Sequence, residues 1–171
     1  MPLVVRRVPG GKHRAVLQVG ALIFPAAIGR SGIVAVKREG DGGTPLATMR
    51  LLGGYVRRDR GHVPRSRLPL ASTGSRDLWC DAPGHACYNR PVKAPFGCSH
   101  EVMQREDELY DISLVLDWNI TSRRQGRGSA IFFHLIRPGY QPTAGCVAIA
   151  RRDMVRLLPH LKRGTRLRVM K

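Results

Sequence analysis

Two side chains in one short segment could do chemistry together. The apolar run Ala130-Ile-Phe-Phe-His-Leu-Ile136 carries a histidine, His134, and Cys146 follows it twelve positions later across Arg137-Pro-Gly-Tyr-Gln-Pro-Thr-Ala-Gly145. A thiol becomes an effective nucleophile when a neighbouring imidazole accepts its proton or stabilises the thiolate. The pair therefore suits acyl transfer through a thioester. Gly145 allows a tight turn before the cysteine, which can aim the N–H groups of Gly145 and Cys146 at a developing oxyanion. On this reading Cys146 should react with iodoacetamide far faster than the other cysteines, and His134→Ala should slow that reaction and shift it to higher pH. Buried cysteines also serve as small hydrophobes, and strand histidines as satisfied core residues. Spacing by itself leaves both roles open.

Positioning the pair requires a strand, a loop and a second strand. A period of two puts Ile131, Phe133 and Leu135 on one face and Phe132, His134 and Ile136 on the other, while Cys146-Val-Ala-Ile149 starts a second apolar run. Upstream, Leu3-Val-Val5 reads as a strand, and His13–Val19 with Ala21–Phe24 as a β-hairpin. Ile33–Val36 leads into the turn Gly40-Asp-Gly-Gly-Thr-Pro45, whose simplest role is to order the sheet, with Lys37 a minor candidate for a substrate carboxylate. Thr48–Val56 reads as a strand bent or bulged at Gly53-Gly54. Arg57–Asp77 is polar and turn-rich, and residues 78–101 read as a long irregular loop of the functional kind. Glu108–Leu116 alternates as a central strand, Arg151–Leu161 has a helical apolar face, and Thr165–Met170 closes the chain as a strand. The pattern predicts a mainly β fold with one or two helices, either two packed sheets or a sheet curled on itself, in a single domain.

The chain has 171 residues, a net charge of +17 and 6% aromatic residues. Such charge attracts polyanions, so nucleic acid comes first among rival partners. The arginines are scattered without interleaved aromatics, and no helix-turn-helix, finger or RNA-binding signature occurs, which ranks a basic binding module below an enzyme. No run is long enough for a membrane span, no export signal is read in the first twenty residues, and the expected state is a monomer. Cys80, His85, Cys87, Cys98 and His100 share the 78–101 stretch without any Cys-x-x-Cys spacing, so no metal is ranked ahead of one disulfide, and zinc last. No glycine-rich loop with a following Lys-Ser/Thr appears, so no nucleotide cofactor is expected.

The residues His134, Thr143, Gly145, Cys146 and Val147 resemble the active-site segment of the L,D-transpeptidase (YkuD-like) family, and Lys37-Arg-Glu-Gly-Asp-Gly-Gly-Thr-Pro45 resembles a signature near the start of its domains. The likeness spans most of the chain. It implies an L,D-transpeptidase-like β-sandwich of mixed sheets, action on peptidoglycan stem peptides, Cys146 as nucleophile, His134 as its base, and acylation by carbapenems. It also implies that Trp79, Tyr88, Asn89 and Arg90 wall the cleft, with Arg90, and alternatively Arg137, gripping a carboxylate beside Thr143. Two positions depart from the usual Ser/Thr-His-Gly-Cys motif and its Arg or Asn two residues later, because they are Ala144 and Ala148 here. The chain thus resembles a divergent branch, in which hydrolysis by an L,D-carboxypeptidase competes with cross-linking. The family role implies the periplasm or cell wall; the absence of a signal in the sequence given leaves a cytoplasmic address open.

Overall fold

The computed structural model describes residues 2–62 and 65–171; Val63 and Pro64, inside the stretch read as turn-rich, lie outside the described residues. In chain order the strands are β1 (Leu3–Arg7), β2 (Arg14–Val19), β3 (Leu22–Ala27), β4 (Ile33–Val34), β5 (Thr44–Pro45), β6 (Thr48–Val56) and β7 (Leu70–Ser72). They continue with β8 (Asp77–Cys80), β9 (Arg90–Lys93), β10 (His100–Val102), β11 (Ile112–Leu116), β12 (Phe132–Leu135) and β13 (Val147–Ile149); helix α1 (Arg151–Leu157) and β14 (Arg166–Met170) follow. No described helix is long and apolar enough to cross a membrane.

The main sheet runs β11-β12-β13-β3-β2-β1-β14-β6-β7, and β11 also pairs with β6. The fold is mainly β with mixed strand directions, as the sequence predicts, and the sheet curls on itself from β11 round to β6. Pairs β1–β14, β12–β13 and β6–β7 are parallel, whereas β1–β2, β2–β3 and β6–β11 are antiparallel. The predicted hairpin forms with Val19 opposite Leu22. The bend expected near Gly53-Gly54 appears one residue earlier: Val115 pairs with Gly53 and Leu116 with Leu51, so Leu52 is the extra residue of a bulge.

Alternation then sorts the side chains. Leu3, Val5, Leu17, Leu51, Phe133 and Val169 point inside the curled sheet, with Met154 and Leu157 of α1 in the same cluster. On the opposite face Phe132 and Val115 join Trp79, Met103, Tyr110 and Cys146 in a second cluster. The covering layer is a three-stranded sheet, β10-β8-β9, whose Trp79 meets Phe132 edge to face at 5.1 Å. The expectation of an irregular loop over 78–101 is therefore corrected. Its strands are only three or four residues long, too short to show a period, and Pro91 is tolerated because β9 is an edge strand.

Candidate active site

Parallel pairing of β12 with β13 sets Phe133 opposite Val147 and His134 opposite Ala148. Cys146 lies just before β13, two residues from Ala148, so its side chain emerges on the same outer face as His134. Both line a cavity of about 380 Å³ together with Thr143, Gly145, Arg137, Tyr110 and Arg105. The cysteine is 6% exposed and the histidine 5%. In this resting arrangement the thiol donates to the carbonyl of Ala130 at 3.2 Å and receives the N–H of Phe132 at 3.2 Å. Its hydrogen-bond partners are thus backbone groups at the start of β12.

His134 Nδ1 lies 2.7 Å from the carbonyl of Leu135. A carbonyl only accepts, so Nδ1 carries the hydrogen and Nε2 keeps its lone pair, the tautomer a base needs. Burial, the dominant cause, pushes the imidazole down to about 4 against the Leu135 contact, with the Arg105 charge adding to the depression. The thiol moves the other way. Burial pushes Cys146 up to about 12, and Glu101 adds to this, while the Phe132 N–H and Lys37 oppose it. A preformed thiolate beside an imidazolium, as the sequence suggested, is therefore disfavoured on both sides. The resting pair is a neutral thiol and a neutral imidazole.

The turn before the cysteine is fixed by hydroxyls. Gly145 has φ +144 and an added Cβ would stand 2.9 Å from the Gly43 carbonyl oxygen. Thr44 Oγ1 donates to the carbonyl of Gly145 at 2.8 Å and accepts the N–H of Gly29 at 2.9 Å. Thr143 Oγ1 donates to the carbonyl of Cys146 at 2.7 Å and accepts the N–H of Gly145 at 3.1 Å. The Gly145 N–H is thus engaged, which leaves the Cys146 N–H as the freer oxyanion candidate of the two. Asp41 organises the Gly40–Pro45 turn by accepting from Lys37 Nζ (2.6 Å) and from the N–H groups of Arg38 (2.7 Å) and Gly43 (2.8 Å). Burial is the largest single influence on its carboxyl and acts upward, but these contacts and the Lys37 charge together outweigh it and hold the carboxyl below the ordinary value. The upstream motif is an anchor for the cysteine turn, and Lys37, on the cavity wall, is committed to Asp41.

Arg137 and Thr143 line the cavity, whereas Trp79, Tyr88, Asn89 and Arg90 do not. Arg90 is exposed on β9, an edge strand of the covering sheet. Tyr88, Asn89 and Trp79 are buried behind the site. Asn89 Oδ1 accepts the Trp79 indole N–H and the Ala130 N–H, both at 3.0 Å, while its Nδ2 donates to the Trp118 carbonyl at 3.0 Å. It braces Ala130, a non-glycine residue at φ +50, whose carbonyl receives the thiol. Tyr88 donates to Glu39, which also accepts from Ser129 at 2.8 Å. The cysteines 80, 87 and 98 are free thiols, and Cys80 Sγ lies 3.9 Å from His85 Nδ1. Among the described residues no group of three His, Cys, Asp or Glu could hold a metal ion.

Several cavity residues carry no motif. Arg105 forks onto Asp107 through two 2.8 Å bonds and sits 5.2 Å over the Tyr110 ring, which meets His134 edge on at 5.2 Å. Arg30, Glu39, Asp81 and Glu101 complete a wall of both signs. Burial is the leading cause that raises the Glu101 carboxyl above its ordinary value. Only a tertiary pairing, β10 on β8, brings Glu101 opposite Trp79, so local spacing offers no signal for it.

A model of the YkuD family, the L,D-transpeptidase catalytic domain, matches residues 10–169. No curated protein and no solved structure matches the chain.

Proposed function

The chain belongs to the L,D-transpeptidase catalytic-domain family, and from that premise we propose that it transfers an acyl group between peptidoglycan stem peptides through a thioester on Cys146. The observation that carries this reading is the shared cavity of Cys146 and His134, with Nε2 of His134 left free to accept by the Nδ1 contact to Leu135. In the proposed reaction the thiol leaves the Ala130 carbonyl and turns toward His134, which takes its proton as sulfur bonds to the donor carbonyl carbon. The oxyanion is held by the Cys146 N–H. Collapse breaks the C–N bond, and His134 returns the proton to the departing amine. An acceptor amine then attacks the thioester, giving its proton to His134; the C–S bond breaks, the new amide leaves, and His134 returns the proton to the Cys146 sulfur. Water in place of the amine gives carboxypeptidase hydrolysis.

The cavity's mixed charge supports a zwitterionic peptide substrate. Arg30, Arg105 and Arg137 can meet carboxylates, and Glu39, Asp81 and Glu101 can meet an ammonium. Since Ala148 offers no polar group, the carboxylate role passes to arginines from other segments. We propose the periplasm or cell wall as the site of action, because stem peptides are cell-wall material.

Intact-mass measurement after carbapenem treatment tests the site. One adduct is expected on wild type and on Cys80→Ala/Cys87→Ala/Cys98→Ala, and none on Cys146→Ser. Adducts confined to Cys80, Cys87 or Cys98 would refute the assignment. Cys146→Ala should abolish peptide transfer while melting close to wild type; retained transfer would refute the mechanism.

A further inference from the structure

The acyl-transfer chemistry leaves most of the +17 charge unexplained. That charge is unevenly placed. Residues 1–38 and 154–171 contain no Asp or Glu, and they supply β1, β2, β3 and β14, which lie side by side and continue into β6, also without an acid. The result is an acid-free stretch of five adjacent strands, about 20 Å across at the usual strand spacing.

Register fixes what its outer face presents. Arg50 lies opposite Arg166. The next row runs Thr48, Arg168, Val4, Gln18, Ile23, and the one beyond it runs Met170, Arg6, Val16, Pro25. Their neighbours in sequence, Leu3, Val5, Leu17, Phe24, Met49 and Leu167, are buried inside, so these side chains point to solvent. Among the described residues, none of Arg6, Arg50, Arg166 and Arg168 forms an ion pair. Among the described residues, the one acid side chain hydrogen-bonded to these strands is Asp117, which accepts the backbone N–H of Arg50 at 2.8 Å. At the hairpin end Ile23 of this face is 63% exposed, and its neighbour Leu22, which alternates to the other side where the sheet ends, is 51% exposed.

We propose that this face is a docking surface for an anionic phospholipid bilayer, with the arginines on the headgroup phosphates and Leu22 and Ile23 entering the acyl boundary. Charge complementarity argues for an anionic partner. The apolar members select lipid over nucleic acid: these rows offer Val4, Val16, Pro25, Met170 and Ile23, with exposed Leu22 beside them at the hairpin end, and none of their residues is aromatic, so they can insert aliphatic groups beneath headgroups and give bases no ring to stack on. Docking this way leaves the reaction cavity free, because His134 on β12 and Cys146 just before β13 line it beneath the covering sheet. The proposal stands independently of the acyl-transfer reading.

The test is co-sedimentation of the full chain with vesicles of phosphatidylcholine alone or mixed with phosphatidylglycerol. Binding is expected only to the mixed vesicles. Arg6→Gln/Arg50→Gln/Arg166→Gln/Arg168→Gln should weaken it by about tenfold or more, whereas Arg58→Gln/Arg65→Gln/Arg124→Gln/Arg127→Gln, with the same net charge, should stay within about threefold of wild type. Leu22→Ser/Ile23→Ser should weaken vesicle binding about threefold and leave binding to duplex DNA unchanged; this variant carries the test if the face variant fails to fold. Bound vesicles should also protect Lys12 and Lys171 from acetylation more than Lys93. Equal losses in the two quadruple variants, an unaffected Leu22→Ser/Ile23→Ser variant, or tighter capture of duplex DNA than of mixed vesicles at the same salt would each overturn the proposal.

Discussion

At Cys146 and His134, burial opposes the charge separation that a resting thiolate–imidazolium pair would require. The thiol is pushed up to about 12 and the imidazole down to about 4, so proton transfer must accompany attack. Iodoacetamide should therefore label exposed Cys98 before Cys146 at pH 7, with the Cys146 rate still rising above pH 9. Peptide mapping of the alkylated sites would show this; a Cys146 rate that is already level below pH 7 would mean a preformed ion pair. His134→Ala should leave the alkylation profile where burial sets it while removing acyl transfer, because the base acts on the reacting thiol rather than on the resting one. Asn89 makes a different kind of contribution. Asn89→Ala strands the Trp79 indole N–H and the Ala130 N–H, whose shared acceptor is lost, and should cost about 2 kcal/mol or more. Chemical denaturation would measure it, and a loss under 0.5 kcal/mol, roughly a surface effect, would mean the two donors find other partners.

The turn that delivers the cysteine shows what an element adds to its residues. Gly145→Ala places a Cβ at φ +144 and 2.9 Å from the Gly43 carbonyl oxygen. The segments must separate, at a cost of about 1–3 kcal/mol, and carbapenem adduct formation should fall in parallel with the melting temperature. Wild-type adduct rates in a folded Gly145→Ala variant would show that this turn does not set the reactive geometry. Much of this element was legible beforehand: His134, Thr143, Gly145 and Cys146 stand close in sequence, and the β12 alternation sorts Phe133 inward and His134 outward as expected. The upstream turn was legible as a motif but not as an anchor, since Thr44 meets Gly145 across 101 positions. The 78–101 stretch misled for a related reason. Its strands gain order from pairing with one another and from packing Trp79 on Phe132, so their local pattern carries little. The family resemblance implies Trp79, Tyr88 and Asn89 as cleft walls, yet they are buried outside the cavity lining and brace the site from behind, a distinction that only tertiary placement makes.

Across the whole molecule, closure of the sheet through β11–β6 was the least legible feature, because β6 pairs with β14 along its first part and with β11 and β7 along its second, and a single strand's pattern does not name three partners. On the outer face, the covering layer buries His134 and Cys146 deeply enough to make folding respond to pH at both ends. His134 titrates near 4 in the folded chain against an ordinary 6.5. Between those values the unfolded chain binds a proton that the folded one refuses, so this contribution is present above pH 6.5 and lost as pH falls toward 4, by up to about 3 kcal/mol. The thiol acts at the other limit. Cys146 keeps its proton to about 12 when folded against an ordinary 9.0, so stability falls as pH rises from 9.0 toward 12. Urea midpoints of wild type, His134→Gln and Cys146→Ser across pH 4–10 would separate the two. His134→Gln should flatten the acid limb and leave the alkaline one, and Cys146→Ser should do the reverse. An unchanged acid limb in His134→Gln would mean that the imidazole is solvated in the folded chain and that the outer face of β12 is open to water.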